Sequence, residues 1–438
     1  MRIDRFRKGW RLSGNILTRQ MACMVAAFGA AVGAAVGCTA IPARAELCRG
    51  QPAITKGPVL LRVYQDRAAL MWETSTAGAC KLHYGKATEA KEYVESTPEE
   101  VSYEVRQDEK TAKRTAYIHK VWLEDLEAGQ VYRYRVTGPE VRSRTHRFRA
   151  ASGDTDKVRF IVYGDSRSNP QTHRKLVKLM IKKKVDFVVH SGDLVGSGSK
   201  YEQWGPEYFE PVKGLAERTP IYIAKGNHEG GSGNYERLLI PQGQKNSYGF
   251  DYGPVHYFCL DNVSRGLGTR ERLDLILRDA KRSSAEWKFV SYHIPSLNFG
   301  GHHSTWGRPD ALPKLAEAGI DFVLTGHSHQ YERFRPVEPP GRTGQSYVTY
   351  ITTGGGGAPL YGVETTEQHA CADRVHHFCL FEIKGNKLKM KVFNLEGKVI
   401  DHLEITKSKG GLNKEYLQTA VPMEEMQRYQ QENLSKSK

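Results

Sequence analysis

Val158-Arg159-Phe160-Ile161-Val162-Tyr163-Gly164-Asp165-Ser166-Arg167 carries an apolar run directly into a Gly-Asp turn. A strand buried on both faces reads this way, as a short, nearly unbroken apolar stretch. The pattern returns four times. Stretch 185–190 leads to Gly192-Asp193-Leu194, 221–224 to Gly226-Asn227-His228-Glu229, 289–292 to His293, and 322–324 to Gly326-His327-Ser328-His329. Further strands are predicted at 255–260 and 347–352, and helical patterns at 171–184, 270–282 and 309–318 lie between them. Such alternation predicts α/β layers around largely buried sheets. Ligands gather in such folds where the carboxyl ends of strands give way to loops. Glycines 164, 192, 226 and 326 let the backbone turn sharply there. Asp165, Asp193, Asn227, His293, His327 and His329 then share one cleft, as oxygen and nitrogen donors suited to divalent or trivalent metals. One Gly-Asp after a strand is an ordinary turn, and one histidine is usually a hydrogen-bonded structural residue. Five motifs in order, each at a strand end, point to a binuclear metal site.

Outside this region the pattern changes. Stretches 59–64, 68–73, 80–84, 116–123, 131–137 and 145–149 are short and strand-like, several of them separated by turn residues. They predict an N-terminal all-β sandwich of the fibronectin III or immunoglobulin kind over 46–150. Its expected role is packing or positioning, since catalytic residue types are sparse in it. Residues 151–156 form a small polar linker. The α/β layered domain covers 157–405 and closes in strands from 379, with hairpin turns at 385–386 and 396–397. Stretch 86–114 is polar. Residues 406–438 are charged and Gln-rich, a tail expected to be partly helical or disordered and without chemistry.

Residues 1–45 read as a signal peptide. Arg2, Arg5, Arg7, Lys8, Arg11 and Arg19 precede a small-residue apolar run at 21–36, and Ala43-Arg44-Ala45 gives an A-x-A cleavage site. Ala35-Val36-Gly37-Cys38 offers a rival reading, lipidation at Cys38. Either reading predicts export, to a periplasmic or extracellular location, with a membrane tie only if Cys38 is lipidated. Cleavage removes seven Lys/Arg and one acid, lowering the net charge from +15 to +9. That excess suits an anionic cell envelope or attracts anionic substrates. No Arg/Lys-aromatic stripe marks a nucleic-acid surface. Cys48–Cys80 and Cys371–Cys379 are candidate disulfides in an oxidising compartment, and Cys259, inside an apolar run, is expected to be a buried thiol. No C-x-x-C pair is present, which argues against a cysteine zinc site.

From about 52 to 405 the chain resembles the calcineurin-like metallophosphoesterases, and among them the purple acid phosphatases. Gly326-His327-Ser328-His329-Gln330-Tyr331-Glu332-Arg333 matches that family's G-H-x-H-x-Y-E-R. Gly226-Asn227-His228-Glu229, Tyr292-His293 with Pro295, and the run Gly354 to Gly357 support it. The resemblance implies that Asp165 and His329 hold one metal, that Asn227, His293 and His327 hold the other, and that Asp193 bridges both. It implies hydrolysis of phosphomonoesters, as in an acid phosphatase, by attack of a metal-bound hydroxide without a covalent phosphoenzyme. His228 would donate a proton to the leaving oxygen or hold a phosphate oxygen. A substrate-facing histidine would come from His302 or His303, with His303 at the more similar spacing.

Two positions depart from the family. Gly196 stands where purple acid phosphatases carry the tyrosine that ligates ferric iron, so purple colour is not expected and the metals (Fe, Zn, Mn or similar) stay open. Arg167 stands where many metallophosphoesterases place a metal-binding histidine. Its guanidinium cannot ligate a metal but suits phosphate oxygens; pairing with a nearby acid is the other reading. Phosphodiesterase or nucleotidase activity at the same site, or a non-catalytic envelope binding protein with a degenerate site, are the competing functions. Oligomeric state is not legible.

Overall fold

Strand Lys157–Tyr163 runs parallel to Phe187–His190 and antiparallel to His377–Lys384 in a computed structural model that describes residues 52–86, 90–107, 110–302, 305–341, 346–408 and 411–436. Its sheet has seven strands. Ile221–Ile223 lies outside Phe187–His190, and Lys387–Asn394, Val399–Ser408 and Gly411–Leu412 continue from His377–Lys384. A second seven-stranded sheet runs Tyr248–Tyr252, Val255–Cys259, Trp287–Tyr292, Phe322–Thr325, Thr349–Thr353, Tyr331–Phe334 and His369–Asp373.

Aromatic rings join the two sheets. Phe160 stacks between Phe187 and Phe381, at 4.8 and 4.9 Å between centroids. Phe289 stacks between Tyr257 and Phe322 at 5.6 and 5.0 Å. The two ladders meet edge to face, with Phe160 and Phe289 5.1 Å apart at 89°. Each such pair adds ~0.5–1.5 kcal/mol beyond the area it buries. Both sheets therefore have a buried inner face. Helix Pro170–Lys183 covers the outer face of the first, and Thr269–Ala280 and Ala311–Glu317 cover the second. That buries the strands on both sides and explains their apolar runs.

The N-terminal region is a two-sheet antiparallel sandwich. One sheet is ordered Ile54–Val63, Ala68–Thr74, Lys110–Leu123, Glu99–Gln107. The other holds Glu92–Ser96, Cys80–Gly85, Val131–Gly138 and Val141–Arg142, with His146–Arg149 also pairing Val131–Gly138. Polar stretch 86–114 thus contributes Glu92–Ser96 and most of a long hairpin, Glu99–Gln107 with Lys110–Leu123.

The sandwich is not a loosely linked appendage. Val59, Leu61, Met71 and Ile118 share one core with Ile161, Leu176 and Trp204. Lys56 and Glu73 form a buried ion pair at 2.7 Å, on which Tyr201 also donates a hydrogen bond. Residues 50–438 form one compact unit.

One expectation needs correction. Cys371 and Cys379 are not bonded. Cys371 pairs with Arg333 in one sheet, whereas Cys379 pairs with Val162 in the other. Cys80 and Cys259 are buried as thiols, and burial pushes Cys259 up to about 12. The C-terminal tail takes the partly helical form: Val421–Pro422 pairs with Val337–Glu338, and helix Met423–Lys436 buries Met423 and Met426 against the second sheet's helices. The segment 1–45, with Cys38, and Cys48 lie outside the described residues.

Candidate metal centre

Each of the six candidate ligands sits where the strands predict, just past a carboxyl end, and the backbone there is unusual. Asp165, Asp193 and His327 have φ of 56°, 60° and 69°. Left-handed backbone at a non-glycine residue is sparsely populated and persists when its surroundings hold it, most often at functional sites. Here it turns each side chain back over its strand end. The glycines serve close approach more than turning. Among those preceding ligands only Gly192 has positive φ. A Cβ on Gly226 would fall on the Asp193 amide and carboxylate, and one on Gly326 would fall on the Asp165 carboxylate. The run Gly354 to Gly357 clamps the first loop from above: Gly356 donates to the Gly164 carbonyl and Ala358 to that of Asp165, at 2.8 and 2.9 Å.

The six side chains meet. Ligand atoms of Asp165, Asp193 and His293 all lie within 4.8 Å of one another. His329 Nε2 is 3.5 Å from Asp165 Oδ1, and His293 Nε2 is 3.3 Å from Asp193 Oδ1. Asn227 Oδ1 lies 2.9 Å from His293 Nε2 and 3.0 Å from His327 Nδ1. The ring nitrogens facing away from the cleft are used elsewhere. His293 Nδ1 donates to the Ser191 carbonyl and His329 Nδ1 to that of Pro359, both at 2.9 Å. Such bonds fix the tautomer, leaving each Nε2 lone pair aimed into the cleft.

Charge supports the same reading. Burial disfavours ionising Asp193, but His293 and His228 outweigh it and hold the carboxyl well below the usual range. Burial also works against a charged His293, yet Asp193 raises it to about 9. Two buried carboxylates thus draw positive charge to this spot. His327, pushed down to about 3 by burial and by the neighbouring His293 and His302, is a neutral donor. Converging oxygen and nitrogen donors, buried acids and strained ligand backbones fit two metal ions: Asp165 and His329 on one side, Asn227, His293 and His327 on the other, and Asp193 between.

Arg167 lies inside this centre, its Nε 3.4 Å from Asp193 Oδ2 and one guanidinium nitrogen 3.5 Å from His329 Nε2. The buried Nε has no hydrogen-bond partner. Both readings of Arg167 therefore have support: it faces an acid, and it keeps a donor pointed at the cleft. His228 Nδ1 donates to the Gly196 carbonyl at 2.6 Å, which leaves Nε2 3.7 Å from Asp193 Oδ2. Gly196 contributes a carbonyl that orients His228, and a Cβ there would approach Gln203 and Glu207, at 3.4 and 3.6 Å. Of the two loop histidines, His302 packs its ring 4.1 Å from that of His327. Its amide donates to Ser328 Oγ at 3.1 Å. His303 lies outside the described residues.

Three supporting residues carry no signal of their own as ligands. Buried Glu229 accepts the amides of Asp193, Leu194 and Gly226, each at 2.8 Å. Burial and the nearby Asp193 push its carboxyl up to about 7. Glu207 accepts from Ser168 and Gly196, tying the first two ligand loops together. Asn262 Oδ1 accepts the His293 amide at 3.1 Å. Glu229 was visible inside Gly226-Asn227-His228-Glu229, and Asn262 follows an apolar run as the ligands do. Nothing in the sequence marks Glu207.

A two-sheet α/β sandwich with Asp, Asn and His donors converging at its strand ends is the arrangement of a metallophosphoesterase domain. Residues 158–331 match the calcineurin-like phosphoesterase family and residues 60–150 the purple acid phosphatase N-terminal domain. Purple acid phosphatase 18 of Arabidopsis thaliana is 28% identical over 268 residues, covering 56% of this chain and 59% of its own length. Human acid phosphatase type 7 is 26% identical over 314 residues, 64% of this chain and 70% of its own. A probable inactive purple acid phosphatase 1 of Arabidopsis is 25% identical, covering 56% of this chain and 49% of its own length. The chain thus spans about half the length of some curated relatives it matches. A purple acid phosphatase from yellow lupin seeds superposes with a TM-score of 0.65 at 17% identity, over 82% of this chain and 75% of its own. The chain carries a calcineurin-like phosphoesterase domain behind a purple acid phosphatase N-terminal domain, and its relatives are purple acid phosphatases.

Proposed function

We propose that this chain is an exported, metal-dependent phosphatase that hydrolyses phosphomonoesters. The observation that carries this reading is the convergence of buried Asp165, Asp193, His293, His327 and His329 with Asn227. Two metals held by these residues would supply the Lewis acidity that activates water and offsets the charge of a phosphoryl group. The chain's own groups do the rest. Arg167, held beside Asp193, presents its guanidinium to a phosphate oxygen, a charge-assisted contact that orients the ester. As the bond from phosphorus to the ester oxygen breaks, His228 Nε2 gives that oxygen a proton, with the ring held through Nδ1 by Gly196. His302, beside His327, borders the same space. Glu229, Glu207 and Asn262 keep the loops fixed, so little reorganisation accompanies the reaction.

Protein carrying two metals per chain should turn over 4-nitrophenyl phosphate faster than bis(4-nitrophenyl) phosphate. Faster diester turnover would reassign the substrate class. No hydrolysis of aryl phosphates or nucleotides would leave a binding protein instead.

A further inference from the structure

The free face of the five-membered sheet in the N-terminal sandwich is built from cations that lie far apart in sequence. In strands, alternate residues share a face. Leu82, Tyr132, Tyr134, Val136, Val141 and Phe148 point into the sandwich core. The residues between them point out: Lys81, Arg133, Arg135, Arg142, Arg147 and Arg149. The register sets these side by side. Arg133 is directly opposite Arg147, Arg135 lies beside His83, and Arg142 faces Thr137, whose other neighbour is Lys81. Glu95, opposite Lys81, is the acid in these rows. Among the described residues none of the six cations forms an ion pair. Like charges placed directly opposite destabilise a sheet, so Arg133 against Arg147 is a standing cost with no benefit inside the fold. His83 registers the same field, pushed down by burial and by Arg135, Lys81 and Arg142.

Two observations indicate what covers this face. Its cations repeat at sheet spacing, about 4.8 Å between strands and about 7 Å along them, and Arg147 and Arg149 also border a cavity toward Asp186. Its exposed aromatic, Tyr93, lies at the outer strand under the Lys81 ammonium, 4.2 Å away. A single-strand binder needs a row of stacking aromatics, whereas a planar anionic surface needs only the charges.

We infer that this basic sheet face docks the protein on an anionic phospholipid bilayer. Each basic residue at such a surface contributes roughly fivefold in binding. The test uses the chain without residues 1–45, which keeps the whole compact unit, and vesicles of phosphatidylglycerol with phosphatidylcholine. The protein should sediment with anionic vesicles at low salt, leave them as salt rises, and ignore pure phosphatidylcholine. Replacing exposed Arg133, Arg142 and Arg147 by Gln should weaken binding on the order of 100-fold. Hydrolysis of a soluble ester should be unchanged, and the melting temperature should hold or rise as the Arg133–Arg147 repulsion is removed. Replacing Arg270, Arg278 and Arg282 by Gln removes the same charge from a helix elsewhere and should alter binding far less. Absence of vesicle binding, equal loss in both triple variants, or capture of polyphosphate without vesicles would each overturn the assignment.

Discussion

Glu229→Ala removes one buried carboxylate and strands three amides, those of Asp193, Leu194 and Gly226, each held at 2.8 Å. A buried donor left without a partner costs ~1–3 kcal/mol. Water entering the vacated space recovers part of that, so the loss in stability should be ~3–5 kcal/mol, within reach of a stable domain's total. The effect on metals should be larger than on the fold. Asp193 keeps its left-handed backbone because Glu229 holds its amide, and residues that orient ligands typically contribute about 10–100-fold to metal affinity. Urea unfolding of the metal-free protein measures the first quantity, and competition with a chelating dye the second. Glu229→Gln keeps one acceptor oxygen but turns an amide group toward a backbone donor, so it should fall between. If Glu229→Ala binds metal within twofold of the parent and unfolds at the same urea concentration, the loops are held by something else.

Arg167→Ala should keep both metals while weakening inhibition by inorganic phosphate about tenfold or more, since it removes a charge-assisted contact; loss of metal with intact phosphate affinity would remove the assigned role. His302→Ala and His303→Ala, made side by side, should show which histidine faces substrate, since that variant lowers turnover at unchanged metal content; no loss in either would remove the role from this loop. His256 is buried between Asp251 and Asp279, at 2.8 Å from each. Burial works against its charge, but the two aspartates raise it to about 9. A folded value above the unfolded one means stability fully present below about pH 6.5. It is lost as pH rises through 9, by ~3 kcal/mol at most. His256→Gln should flatten the fall in melting temperature between pH 6.5 and 9.5, and an unchanged slope would contradict the pairing.

The ligand set was legible in the sequence because the strands that carry it are buried on both faces. Their apolar runs announce where they end, and the donors follow at once. The same physics hid other parts. Glu99–Gln107 and the first half of Lys110–Leu123 form an exposed hairpin, so their charged residues look like a loop. Cys371 and Cys379 are close in the chain but belong to different sheets, a separation that spacing does not show. Helix Met423–Lys436 touches the body through a few side chains such as Met423 and Met426, too few to leave an apolar stripe among its charged and amide residues. His302 and His303 are neighbours, and sequence alone does not show that the His302 ring packs on His327. The basic sheet face was invisible for the opposite reason, since its six cations come from four strands and meet only through register.

Every chemical role proposed for these residues depends on two metals with Asp193 between them. Metal analysis of the purified chain by inductively coupled plasma mass spectrometry, alongside Asp193→Ala, tests that pair without relying on any substrate. Two metal ions per chain are expected in the parent, with both weakened in the variant because one carboxylate serves each. A parent that holds a single ion, or a variant that retains two, would contradict the bridge.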